Sequence, residues 1–235
     1  MLGCALIAAR KFVQESYPDC QLAILAGSVV RGEGNENSDL DIVIINKTEP
    51  SPYRKSLIYD KWPIEVFVYD DKSFDTFCDI GVQKARPFLM SMIVEGIPIV
   101  DTKKNVNVLK REFEDVIKKG PKPLSDDEIK EYRLKITEMV EDLKGSSDHF
   151  ESTFIVNRLS FLLSEFVMRL NRHWIGEGKW MHRELIEFDS KYAERFNRAF
   201  ASFYSNKDKD RLIEFVEENL ASVGGFLFSG YRDVR

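Results

Sequence analysis

Two aspartates stand two residues apart in the run Ser38-Asp39-Leu40-Asp41, directly ahead of Ile42-Val43-Ile44-Ile45. Such a β-branched, apolar run marks a central strand. Residues two apart in a strand project from the same face, so the spacing predicts paired carboxylates at the margin of a core. Like charges placed there repel one another and lose hydration. A divalent cation relieves both penalties, and hard carboxylate oxygens suit magnesium. Glu65 repeats the anomaly as the one charge between Ile64 and Val68. With the two strands side by side, three carboxylates would meet around one or two metals. Two such ions roughly 4 Å apart can clamp the attacking and leaving oxygens of a phosphoryl transfer. Asp39, Asp41 and Glu65 are therefore the candidate metal ligands and catalytic residues.

Gly27-Ser28 follows the apolar run Leu22-Ala-Ile-Leu-Ala26. A strand ending in Gly-Ser and entering a helical turn offers backbone N–H groups and a hydroxyl to a phosphate, helped by the helix dipole. Arg31 could reach a phosphate from the same loop or lie solvated, and Glu33 and Glu36 read as solvated charges. Far downstream, Gly176-Glu-Gly-Lys-Trp180 is a loop opening a helix, and Lys179 there could contact a triphosphate as a point charge. Glu138, Glu141, Asp142 and Glu165 could receive a cationic acceptor, or could simply form solvated helix faces. His149 and His173 read as capping or interface groups near helix ends. Phe161, Phe166 and Trp174 read as core.

The elements that must position these groups follow from periodicity. Residues 2–17 read as a helix ended by Pro18, and 21–26 as a buried strand. Residues 27–38 read as loop, 39–45 as the acidic strand, and 56–59 with 64–69 as a hairpin turning through Asp60-Lys-Trp-Pro63. Beyond Asp70 helical spacing dominates, with helices over 73–80, 86–94 and 105–118 and one extended piece at 96–100. Gly120-Pro-Lys-Pro123 is the best linker. Ser125-Asp-Asp-Glu128 is a capping-box signature opening a helix to about residue 143. Helices over 152–174, 180–188, 191–204 and 208–223 follow. The expected fold class is α+β: a mixed sheet flanked by helices over residues 1–120, then an all-helical bundle over 121–235.

The ordered set of Gly27-Ser28, Ser38-Asp-Leu-Asp41 and a later Ile64-Glu-Val66 resembles the nucleotidyltransferase superfamily that includes DNA polymerase beta. The Arg31-Gly32 step and the helical C-terminal half look most like its small bacterial members, including kanamycin- and lincosamide-type antibiotic nucleotidyltransferases. The motifs span residues 22–69. The resemblance implies that Gly27 and Ser28 bind a nucleoside triphosphate, while Arg31 and Lys179 stand beside it as residue-level candidates for further contacts, each with a surface-residue alternative. It implies that Asp39 and Asp41 hold two magnesium ions and that Glu65 completes the catalytic site. It implies transfer of a nucleoside monophosphate to a hydroxyl of a small acceptor, with release of pyrophosphate. The alternatives are AMPylation of a protein, or an antitoxin-like nucleotide-binding module without catalysis.

Composition bounds the rest. The chain of 235 residues is 43% hydrophobic and 31% charged, with a formal net charge of -5. An acidic total disfavours a grip on long nucleic acid, where phosphate contacts dominate affinity. The three cysteines form no CxxC pair, which suits a reducing compartment without a disulfide framework. The apolar stretch at residues 2–9 is too short to span a bilayer, and a cytoplasmic setting is expected. Rival motifs fail: Asn37 stands where a dinucleotide fingerprint begun at Gly32 would need glycine, and no Gly-Lys-Ser/Thr phosphate loop is present.

Overall fold

The computed structural model describes residues 1–48, 50–102 and 106–229. The chain divides into two compact units, Met1–Gly120 and Pro121–Arg235. In the first, the element order is α1 (Leu2–Ser16), β1 (Leu22–Ala26), β2 (Leu40–Ile45), β3 (Tyr53–Tyr59), β4 (Trp62–Tyr69), α2 (Asp71–Gln83), α3 (Phe88–Glu95), β5 (Ile97–Asp101) and α4 (Val106–Lys119). The five strands form one mixed sheet in the order β3-β4-β2-β1-β5. β2 pairs parallel with β4, while the β1–β2, β1–β5 and β3–β4 ladders are antiparallel.

The alternation of side chains across the sheet divides the core in two. Ala23, Leu25, Ile42, Ile44, Val66 and Val68 pack on one face against Ala5, Ala9, Phe12 and Val13 of α1. Leu22, Ile24, Val43 and Ile45 face the other way, toward Phe74, Leu89, Ile93 and Val106 of α2, α3 and α4. Asp41 and Glu65 share the parity of Val43 and Phe67, so they stand on this second face. They lie where the helices' apolar cover gives out.

Local chemistry sets the boundaries. The β3–β4 hairpin is tighter and longer than its sequence suggests. Asp60 and Lys61 both take positive φ, 47° and 70°, the pattern of a type I′ turn. The strands therefore run to Tyr59 and resume at Trp62. Tyr53, ahead of the strand expected from 56, already pairs with Val68. The acidic strand starts at Leu40, so Asp39 is the last residue of the preceding loop. α2 starts ahead of its expected position because Asp70 and Ser73 form a reciprocal capping box. The expected start of α4 at Asn105 lies outside the described residues.

The second unit is helical: α5 (Asp126–Gly145), α6 (His149–Leu170), α7 (Lys179–Phe188), α8 (Ser190–Asn206) and α9 (Lys209–Ala221). The capping box at Ser125 and Glu128 opens α5 as its spacing predicts. Asp148 caps α6 through the N–H groups of Phe150 and Glu151, which starts that helix ahead of the expected 152. Phe166, Leu163, Phe203, Leu212 and Val216 are buried in this unit. Phe161 corrects its core reading: it is 48% exposed, because it falls on the outward face of α6. Trp174 is half-buried.

Phe74 ties the helical cover to the sheet. It is fully enclosed and meets Tyr69 and Phe113 at ring-centroid distances of 6.1 Å each. Phe74→Ala is expected to cost about 3–5 kcal/mol, read as a lowered urea midpoint with the same slope.

Candidate active site

The register of three strands assembles the acidic cluster. Asp41 lies opposite Ala26 of β1 on one side and Glu65 of β4 on the other. Asp39, one pleat earlier, points the same way. Each of the three residues is half-buried and offers a carboxylate oxygen, and these oxygens all lie within 4.8 Å of one another. This is the convergence that the two-residue spacing and the lone strand glutamate predict.

The electrostatics show what the cluster lacks. Burial, and then the charges of Asp39 and Glu65, push Asp41 up to about 7, against opposing pulls from Arg31 and Arg54. An aspartate that holds its proton to neutrality for these reasons sits in a field short of positive charge. The donor set is all oxygen and all anionic. It fits a hard divalent ion such as magnesium or manganese, which Asp39, Asp41 and Glu65 would hold.

Gly27 abuts the cluster. It adopts φ +82°, and a Cβ at this position would lie 2.0 Å from Oδ2 of Asp41. No side chain fits, so glycine is required both by conformation and by space. The chain then enters a short turn in which Val30 and Arg31 donate to the Gly27 carbonyl at 3.1 and 3.3 Å. The N–H groups of Ser28 and Val29 donate to no carbonyl among the described residues. Such donors at the head of a turn suit an anion.

Other candidates fall differently. Arg31 stays near the cluster, but its guanidinium donates to Glu95 at the end of α3 and lies 3.4 Å from Glu33. Glu95 in turn accepts a hydrogen bond from the Gly27 backbone, and burial raises its pKa. Glu33 is thus an ion-pair partner, whereas Glu36 is exposed. Lys179 is the first residue of α7 in the second unit, its Nζ 5.9 Å from the Trp180 ring centroid. Glu138 and Asp142 are exposed, Glu141 pairs with Lys144 at 2.8 Å, and Glu165 interacts with Tyr132. His182 contacts Asn197 at 3.0 Å, and His173 packs edge-on to Phe188.

Two residues escaped the sequence reading. Arg54 of β3 donates to Glu65. It was hidden because only the β3–β4 register brings it there. Glu184 of α7 is pushed up to about 7 by burial and then by Glu187. Helical periodicity alone does not distinguish it from its solvated neighbours.

A mixed sheet bearing three carboxylates beside a Gly-Ser turn is an arrangement able to hold a divalent cation next to a phosphate. The comparisons add a domain family. Residues 6–83 match the model of the nucleotidyltransferase domain family. The N-terminal unit thus carries a match to a nucleotidyltransferase domain. The crystal structure of a nucleotidyltransferase-like protein from Exiguobacterium sibiricum 255-15 is similar, with a TM-score of 0.51 and 12% identity over 92% of this chain and 74% of that one. At that identity the likeness is one of fold. Among curated proteins none matches.

Two outcomes follow from the geometry. Gly27→Ala is expected to displace the Asp41 carboxylate and strain the turn, costing roughly 1–3 kcal/mol in stability. It should also remove Mn²⁺ binding in calorimetric titration. Asp41 gives a pH signature. Its folded pKa is raised, so in EDTA its contribution to stability is present in acid and is lost as pH rises through about 7. A divalent ion must displace that proton. The gain in melting temperature on adding Mg²⁺ should therefore be larger at about pH 8 than at about pH 6. An equal gain at both would contradict the shift.

Proposed function

We propose that this protein transfers a nucleoside monophosphate from a nucleoside triphosphate to a hydroxyl of a small-molecule acceptor, releasing pyrophosphate. The observation that carries this reading is the meeting of Asp39, Asp41 and Glu65 within 4.8 Å, beside Gly27, where a side chain would collide with the Asp41 carboxylate. The domain match over residues 6–83 supports the same chemistry.

In this reading Asp39 and Asp41 hold the divalent ions and Glu65 completes the set. A bound magnesium pair supplies neutralisation of the charge developing on the phosphorus oxygens and on the leaving group. Gly27 and Ser28 orient the triphosphate through backbone N–H groups and the Ser28 hydroxyl, and Arg31 adds positive charge to the same pocket. The acceptor oxygen forms its bond to the α-phosphorus as the bond to the β-phosphate bridge breaks. The hydroxyl proton passes to a carboxylate of the cluster.

The acceptor class is left by the acidic balance of the chain: with a net charge of -5, a small molecule is favoured over long nucleic acid. Cys4, Cys20 and Cys78 are free thiols, which supports a reducing, cytoplasmic setting. Among the described residues no helix is long and apolar enough to cross a membrane.

The test is an acceptor screen with α-phosphate-labelled ATP or GTP and Mg²⁺, scoring label transferred and pyrophosphate released. Asp41→Asn is expected to cut transfer roughly a thousandfold, several kcal/mol of transition-state stabilisation. Transfer that survives this substitution would refute the assigned roles, and no transfer to any acceptor by the native chain would refute the activity.

A further inference from the structure

The edge strand β3 delivers a cation to the acidic cluster. Arg54 and Ser56 lie opposite Phe67 and Glu65 in the β3–β4 ladder, so all four side chains stand on one face of the sheet. The Arg54 guanidinium donates through Nη2 to Oε1 of Glu65. The same oxygen lies 3.3 Å from the Ser56 hydroxyl. The guanidinium carbon sits 5.4 Å from the centroid of the Phe67 ring. Glu65's side chain is 20% exposed, whereas that of Arg54 is 60% exposed. The carboxylate is fixed in the sheet, and its cation hangs on a long stem open to water.

A guanidinium and a divalent ion cannot both hold that carboxylate at full strength. They draw on the same lone pairs, and they repel each other at this range. Were Arg54 pushed off Glu65, it would stand beside a site whose proposed substrate is a polyanion. Its planar fork matches phosphate oxygens bidentately. The Phe67 ring gives the guanidinium a face to rest on while its fork changes partner.

We propose that Arg54 is a displaceable counter-ion of the carboxylate cluster, competing with the divalent cation for Glu65 and, once released, binding the phosphates of the nucleotide. This rests on the reading of Asp39, Asp41 and Glu65 as a cation site. It assigns Arg54 two partners in turn, and the two halves have opposite signs when the arginine is removed. An arginine that merely braced the sheet would shift both affinities in one direction.

The experiment compares the full-length native chain with Arg54→Ala, Arg54→Lys and Lys47→Ala. Lys47 pairs with Asp71 at 2.6 Å and removes one positive charge from the same unit without touching the cluster. Mn²⁺ affinity is measured by calorimetry without nucleotide. The affinity of a non-hydrolysable α,β-methylene triphosphate is measured at saturating Ca²⁺. Arg54→Ala should tighten Mn²⁺ binding roughly two- to fivefold and weaken the nucleotide analogue roughly tenfold. Arg54→Lys should fall between it and the native chain in both, since lysine keeps the charge and loses the fork. Lys47→Ala should match the native chain.

Shifts of one sign in both titrations, or no shift in Mn²⁺ affinity, would overturn the assignment of Arg54 while leaving the cation site standing. So would a Lys47→Ala profile equal to that of Arg54→Ala, which would mark a general charge effect. If neither the native chain nor Arg54→Ala takes up Mn²⁺, the cation site fails and the Arg54 proposal falls with it.

Discussion

The carboxylate of Asp41 cannot move away from its neighbours. Strand β2 is paired on both sides, with Ala26 and Glu65 directly opposite Asp41. Its remaining residues, Leu40 and Ile42 to Ile45, are all wholly buried. Sliding the strand by one residue would separate the acids, but it would also turn every apolar side chain of β2 to the wrong face. The hydrophobic core thus fixes an electrostatic conflict in place. Burial of the strand is what makes the repulsion inescapable, and burial first, then the charges of Asp39 and Glu65, raise the pKa of Asp41.

The surrounding structure manages that conflict from two flanks. On one side Arg31 reaches toward the cluster from the turn after β1 and is held by Glu95 at the end of α3. Lys110 of α4 fastens the same helix end, donating to the Val94 and Gly96 carbonyls at 2.8 and 2.6 Å. On the other side Arg54 comes from the edge strand and meets Glu65. Arg31 is tied to Glu95 outside the cluster, whereas Arg54 is tied to Glu65, one of the three acids. Gly27 sits between the flanks with no room for a side chain. The result is an acidic cluster flanked by two arginines. That distribution favours a compact multivalent cation at the middle and anionic oxygens at the rim.

Much of this was legible in the sequence where one residue type has one physical use. Paired aspartates ahead of an isoleucine-rich run announce a charged position in a buried strand. Ser125 and Glu128 announce a helix start. A glycine after an apolar run announces a turn, although not that Asp41 Oδ2 would fill the space of its absent side chain. What stayed hidden depends on register and on facing. Arg54 falls outside the strand expected at 56–59, and only the turn at Asp60 and Lys61 fixes its partner. Phe161 has the spacing of a core residue, yet it points outward. Glu184 is one of several acids on its helix, and its burial comes from tertiary packing that periodicity does not carry. The short extended reading of β3 failed for a related reason: Arg54 and Lys55 look unlike a strand until β4 is beside them.

An acidic protein that takes a triphosphate meets a further constraint. With a net charge of -5 and three carboxylates at the centre of the pocket, the bare site repels the substrate it is proposed to bind. Two arginines already engaged with glutamates cannot reverse that field alone. Positive charge must arrive with the nucleotide or ahead of it, so the two ligands are linked: the factor by which a bound cation would raise nucleotide affinity is the factor by which bound nucleotide would raise cation affinity. The acidic cluster then acts as a selector as well as a ligand set. On the proposed function, a nucleotide without its metal would be turned away by the same charges that would fasten a nucleotide carrying one.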